Sequence, residues 1–250
     1  MELSQQQKKE FFHKGYLKIS GIVPQKRINV ALRAMNHSLG LGMDPRQAQT
    51  FRANSFCPEL RQHPSIADLF WETSLLDLVG SAIEPGKFKL WGGGQIALRF
   101  PVMEEPGEFH PHIDGLYRTG NKVPKDTIQS FTMLAGVFLS DIPNRYWGNF
   151  TLWPGTHLAF EKYFQKNSID CLRNGLPKIK MPKPEQVTGY AGDVILCHYL
   201  TAHTVVSNVS PYIRYAVFFR ILHENHLSHA KETFTNIWLD WPGLRNERND

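Results

Sequence analysis

Cysteine is scarce in this chain. Its three cysteines, Cys57, Cys171 and Cys197, are odd in number and far apart, so they form neither a zinc pattern nor a disulfide framework. That usage fits a reducing compartment. No apolar run reaches the length of a membrane span. The opening MELSQQQKKEFF is charged and lacks the apolar stretch of a secretory leader, so the expected location is the cytoplasm. Clustered positive charge is also missing. The net charge is +5, but Lys and Arg are scattered along the chain. The densest basic stretch, LPKIKMPKPEQ from Leu176 to Gln186, is broken by proline and carries no aromatic rings. Grooves for single-stranded nucleic acid pair charge with stacking rings, so this stretch reads as a solvated loop. The triglycine Gly92 to Gly94 is followed by no Lys-Ser/Thr and is no phosphate loop; a strand bend accounts for it. The partner left by these exclusions is a small molecule, with neither nucleic acid nor membrane.

What remains is ordinary globular material. With 250 residues, 42% of them hydrophobic and 20% charged, the chain can bury a core without staples. Residues 1–85 read as helical. Ser4 is an N-cap before QQQKKEFFHK and Gly15 a stop; Pro24 opens a second helix with Ile28, Ala31, Leu32 and Met35 on one face. PSIADLFWETSLLDLVGSAI reads as a third. From about Lys87 the texture turns to short β-branched and aromatic runs: KFKLWGG, QIALRF, SFTMLAGVFLS, NFTLW, DVILCHY, HTVVSN and YIRYAVFFRI. The last is apolar on both faces and so needs cover on both. The expectation is one domain, mainly β with α: a sandwich or barrel over 86–250, with the N-terminal helices packed outside it.

One stretch suggests chemistry. FHPHIDGLY, Phe109 to Tyr117, places two histidines and an aspartate within five residues. On an extended segment residues i and i+2 share a face, so His112 and Asp114 can converge on one metal ion. One imidazole and one carboxylate remain an incomplete site. A non-haem iron centre of the two-histidine, one-carboxylate type needs a second histidine from elsewhere. HYLTAHTVVSNVSPYIRYAVFFR offers His203 on one strand and Arg214 on the next. A hairpin folded about Asn208 and Val209 sets these two opposite each other on one face. A buried arginine beside a metal-bound histidine calls for an anion, and a dicarboxylate reaching from metal to guanidinium supplies one.

Taken in order, four features resemble the phytanoyl-CoA dioxygenase-like family of iron(II)/2-oxoglutarate oxygenases. They are the helical opening LSQQQKKEFFHKGYLKISGIV, the H-x-D of His112 to Asp114, GNFTLWPGTH from Gly148 to His157, and GDVILCHYLTAHTVVSN followed by Arg214. The match spans nearly the whole chain, and the spacing of eleven from His203 to Arg214 discriminates most. The resemblance implies a double-stranded β-helix (jelly-roll) core, iron(II) on His112, Asp114 and His203, and 2-oxoglutarate on Arg214, with Gln95 also touching it. Dioxygen would be the second co-substrate and hydroxylation of a small molecule the expected outcome, with succinate and carbon dioxide released. Two departures stand out. Val205 replaces the hydroxyl that many relatives carry two residues after the distal histidine. Asp114 stands where related halogenases have Ala or Gly, which points away from halogenation.

Other readings compete. A cupin-like metal enzyme without 2-oxoglutarate would give Arg214 no partner, and a jelly-roll binding protein would have no use for open metal positions. His110 lacks the carboxylate at i+2 and reads as a neighbour of the site or a surface residue. His198 reads as a packed core histidine. His223, His226 and His229 in HENHLSH lack the H-E-x-x-H order and read as a solvated helix face. Tyr117, Arg118 and Trp153 flank the motifs and are candidates for the pocket wall. Arg220 reads as remote from the co-substrate, near the far end of its strand.

Overall fold

The computed structural model describes residues 1–118 and 121–244. Helix α1 (Gln5–Lys14) begins at Ser4, whose hydroxyl accepts from the Gln7 amide while the Gln7 side chain accepts from Ser4 N–H. This reciprocal box satisfies two of the free amides at the helix start. Gly15 ends the helix at φ 76°. The chain does not stay helical to residue 85. Immediately after Gly15 it extends into strand β1 (Tyr16–Ile19), then returns to helices α2 (Gln25–Gly40) and α3 (Ala48–Ala53). The expected third helix is two: α4 (Pro64–Trp71) and α5 (Leu75–Ala82). Thr73 breaks it, because its hydroxyl donates to Leu69 O and accepts from Leu75 N–H. A side chain that offers the backbone such alternatives competes with the helix ladder.

The β-rich texture after Lys87 becomes β2 (Phe88–Leu90), β3 (Gln95–Arg99), β4 (Met133–Phe138), β5 (Phe150–Leu152), β6 (Glu185–Gln186), β7 (Val194–His198), β8 (His203–Val205) and β9 (Arg214–His223). Helices α6 (Thr156–Phe164) and α7 (His226–His229) lie between and after them. The strands form two antiparallel sheets. The larger runs β1-β7-β4-β9-β2, with β3 also paired to β9; the smaller runs β6-β5-β8. β2 and β3 occupy successive lengths of the same β9 edge, joined by the bend at Gly92 to Gly94, as the triglycine suggested.

Strand β9 organises the molecule because both of its faces are covered. Outward, Phe219 packs against Phe70 of α4 at 5.5 Å between ring centroids, and α4 is tied to α2 by the Arg27–Asp68 ion pair. Inward, Phe218 meets Phe150 of the smaller sheet at 5.1 Å. Antiparallel partners share a face, so the register puts Arg214, Ala216, Phe218 and Arg220 on the inner side with Gln95, Ala97, Arg99 and Leu134. The expected β8–β9 hairpin does not form. β8 pairs with β5 in the smaller sheet, and the chain crosses to the larger sheet before β9 begins. The Asn208 amide fixes that crossing by donating to Arg99 O and Tyr212 O. His203 and Arg214 therefore lie on different sheets; Arg214 is opposite Arg99.

Candidate metal centre

His203, on β8, is held opposite His112 by a pair of backbone hydrogen bonds, His112 N–H to His203 O at 2.9 Å and the reverse at 2.8 Å. The imidazole centroids lie 4.5 Å apart. The chain turns after Asp114 at Gly115, whose φ is +78° and whose carbonyl accepts from Gln129 N–H. A Cβ on Gly115 would sit 2.1 Å from Gln129 O, so only glycine permits this close turn. The turn brings the carboxylate back to the histidines. His112 Nε2 and His203 Nε2 are each 3.7 Å from Asp114 Oδ1, and the three ligand atoms lie within 4.8 Å of one another.

The donor chemistry fits a divalent metal. His203 Nδ1 lies 3.0 Å from Thr201 O. A carbonyl only accepts, so Nδ1 carries the proton and Nε2 keeps a free lone pair on the Asp114 side. His112 Nδ1 is buried without a partner. Burial, followed by the neighbouring His203 imidazole, holds His112 well below its usual range, which keeps it a neutral donor. Burial alone would raise Asp114, but Arg220 and then the two imidazoles outweigh it and hold the carboxyl well below the carboxylate range. The two carboxylate oxygens divide the work. Oδ1 faces the histidines, and Oδ2 accepts from Arg220 Nη2 at 2.6 Å.

Arg220 thus belongs to the site, contrary to the reading that set it apart. The signal was the period of two along β9, which places 214, 216, 218 and 220 on one face. His110, Gln95, Arg118 and Val205 line the same cavity, which measures about 650 Å³. Trp153 is buried against Phe109 and Tyr117 points outward, so neither is among the lining residues.

Arg214 is present on the inner face but stands behind the cavity wall. Its Nε donates to Gly148 O and its Nη1 to Ala97 O, both at 2.9 Å, while Nη2 is buried with no partner. Arg99 directly opposite does line the cavity. Neither arginine has a carboxylate partner among the described residues. Burial, then the Arg99 charge, pushes Arg214 well below the usual guanidinium range; burial, then Arg52, lowers Arg99 to about 10. Two like charges opposed in a ladder and withdrawn from water repel each other, and an anion between them removes the conflict.

The remaining histidines divide differently from expectation. His198 is a core residue as anticipated: its ring stacks on Trp241 and its Nε2 donates to Ile237 O. The HENHLSH histidines are not a solvated face. His226 is fully buried, and Asp240 receives His226 Nδ1 and His229 Nε2 at 2.5 and 2.6 Å. Asp240 lies fourteen residues from His226, beyond the reach of any local periodicity.

No family model matches the chain, and no curated protein matches it. Solved structures do. The non-heme alpha-ketoglutarate-dependent carbocyclase SnoK from nogalamycin biosynthesis superposes with a TM-score of 0.59 at 17% identity, over 91% of this chain and 90% of its own. HygX from Streptomyces hygroscopicus, with nickel and 2-oxoglutarate bound, gives 0.58 at 19% identity over 88% and 87%. The non-heme monooxygenase ThoJ in its nickel complex gives 0.52 at 16% over 86% and 76%. The chain shares the architecture of these non-heme enzymes.

Proposed function

We propose that the protein is an iron(II)- and 2-oxoglutarate-dependent dioxygenase with a jelly-roll core, of the phytanoyl-CoA dioxygenase-like kind, that hydroxylates a small molecule. The observation that carries this reading is the convergence of His112, Asp114 and His203 at the wall of a large cavity, with lone pairs left over, and nearby a buried Arg214 whose Nη2 has no partner, opposed by the half-buried Arg99 of the cavity wall. His112 Nε2, His203 Nε2 and Asp114 Oδ1 would hold the iron. Bound iron would supply the dioxygen chemistry that no side chain can perform, coupled to conversion of 2-oxoglutarate to succinate and carbon dioxide. Arg220 orients and charge-balances the ligand carboxylate. Arg214 Nη2, together with Arg99, would take the far carboxylate of 2-oxoglutarate, and Gln95 on the same face would touch the co-substrate. Val205 lines the cavity where a hydroxyl would otherwise assist, so the arginine pair carries more of the co-substrate's recognition.

A metal enzyme without 2-oxoglutarate is the rival, and it leaves Arg99 and Arg214 facing each other with nothing between them. Arg214→Leu should weaken 2-oxoglutarate binding by about 2–5 kcal/mol, the range for leaving one member of a buried charge pair alone. Arg214→Lys should recover only part, because a point charge replaces a fork. Iron affinity should stay near wild type in both. The direct test is succinate release with iron(II), ascorbate and 2-oxoglutarate across a panel of candidate substrates. Wild-type 2-oxoglutarate binding by Arg214→Leu and Arg99→Leu alike would remove the co-substrate from the account.

A further inference from the structure

The cavity holds more positive charge than iron(II) and 2-oxoglutarate can use. Six cationic side chains line it, Arg52, Arg61, Arg99, Arg118, Lys122 and Arg220, against the single carboxylate of Asp114. Arg220 already pairs with that carboxylate. A divalent cation and a dianionic co-substrate cancel each other, so the loaded site keeps the excess. Among the described residues Arg52, Arg61, Arg118 and Lys122 form no salt bridge; the one carboxylate whose charge reaches Arg118 is Asp114, already paired with Arg220.

Arg61 is the most constrained of them. Its Nε is buried without a hydrogen-bond partner. Its backbone is fixed against the triglycine bend, where Gly94 N–H donates to Arg61 O at 2.9 Å. A Cβ on Gly93, at φ +77°, would come within 2.6 Å of that oxygen, and one on Gly92 within 3.1 Å of Arg61 Nη2. The bend between β2 and β3 therefore seats a guanidinium in the cavity wall. Burial, then the charge of Arg220, lowers Arg61, and burial lowers Arg118. An arginine does not shed its proton in a protein, so the unpartnered Nε of Arg61 is a donor that an anion in the cavity would satisfy. Arg52, Arg118 and Lys122 are more exposed and individually solvated. Around a concave wall, however, charges of one sign sum to a focused field. About 650 Å³ also leaves room for a second molecule beside a five-carbon co-substrate.

We propose that the primary substrate carries an anionic group, a carboxylate or a phosphate monoester, seated among Arg52, Arg61, Arg118 and Lys122. This rests on the iron and 2-oxoglutarate reading for which molecule is the co-substrate, but the anion site itself can be tested apart from it. The probes are phenyl phosphate and phenylacetate, each beside its neutral counterpart, phenol and phenylacetamide. They are titrated calorimetrically at low ionic strength into nickel(II)-loaded protein, with and without saturating 2-oxoglutarate. At least one anionic probe should bind saturably in the presence of 2-oxoglutarate, with an affinity at least about tenfold above that of its neutral counterpart. Arg61→Gln and Arg52→Gln should each weaken that binding about tenfold, and Arg61→Gln should do so while leaving 2-oxoglutarate affinity and the thermal midpoint near wild type. Preference for phenyl phosphate or for phenylacetate assigns the group. Equal binding of charged and neutral partners, no binding of either anion, or affinity unmoved by both variants would overturn the proposal. Failure of 2-oxoglutarate itself to bind counts against the co-substrate reading and is read from a separate titration.

Discussion

Two clusters in this molecule are built from the same side chains and are put to opposite ends. His112 and His203 surround Asp114, and His223, His226 and His229 surround Asp240. In the second cluster nearly all bonding capacity is spent. Asp240 Oδ2 also accepts from Thr132, and Ser130 lies 2.9 Å from His226 Nε2, so both nitrogens of the buried imidazole are engaged. The void beside it is about 10 Å³, too small for a ligand. Ser130, His226 and Asp240 even follow the order of a hydrolase triad, yet Ser130 is buried and lines neither cavity. The first cluster is the reverse. Its carboxylate oxygen faces two imidazole nitrogens at 3.7 Å, too long for hydrogen bonds, and the site opens on a large cavity. Residue type therefore does not separate a clasp from a candidate metal centre. Unspent donor capacity with access does.

Exchanging the defect between the clusters should separate the functions. Asp114→Ala should abolish metal binding and lower turnover by at least about 100-fold, while the metal-free protein stays folded and loses less stability than Asp240→Asn, because Asp114 and Arg220 are the more solvent-accessible pair. Asp240→Asn should do the opposite. Breaking a buried, hydrogen-bonded charge cluster costs about 3–5 kcal/mol, which lowers the midpoint by roughly 6–20 °C in a chain of this size, while iron stoichiometry stays at wild type. Metal loss in Asp240→Asn without destabilisation would erase the distinction.

Acid should act first through the buried neutral histidines. Burial holds His198 at about 4 and His157 at about 3, both below the ordinary 6.5. The unfolded chain then takes up protons that the folded one refuses, so stability falls as pH drops below about 6.5 and keeps falling toward 3. Asp240 adds its own loss lower down. Burial would raise it, but hydrogen bonds from His226, His229 and Thr132 hold it at about 2, so its contribution is full above about pH 4 and disappears as pH falls through 2. Urea midpoints across this range check the profile, and a flat response between pH 6.5 and 4 would contradict it.

Smaller effects sharpen the open cluster. Arg220→Gln should weaken metal binding about 10–100-fold, the cost of losing a partner that orients a ligand, and leave 2-oxoglutarate binding largely intact. His110→Ala should leave iron stoichiometry unchanged; iron loss equal to that of His112→Ala would show that the other histidine of HPH is the ligand.

Much of this was legible in the sequence, and the failures have physical causes. Seven short runs after Lys87 were recognisable as strands from β-branched and aromatic composition, and β9 announced its two covered faces. His112 and Asp114 were read together from their spacing on an extended segment, but it is the turn at Asp114 and Gly115 that brings them close; His203 came from resemblance. What failed was long-range. A hairpin about Asn208 looked natural until that asparagine's amide bound Arg99 O and Tyr212 O and sent the chain to the other sheet. β1 was hidden because four residues after a glycine stop gain their strand only by pairing with β7, far along the chain. Asp240 revealed nothing locally about the histidines it holds. Arg220 alone was readable and missed, since the period of two already put it on the inner face with Arg214.

On the proposed reading the open cluster holds iron(II) and 2-oxoglutarate together. Anaerobic titration of 2-oxoglutarate into the iron(II)-loaded protein tests it most directly, through the visible metal-to-ligand charge-transfer band that forms when the 2-oxo acid chelates the metal. The account predicts a saturable band at one equivalent, lost in Asp114→Ala and shifted to much higher 2-oxoglutarate concentration in Arg214→Leu. Stoichiometric iron without any band at saturating 2-oxoglutarate would contradict it.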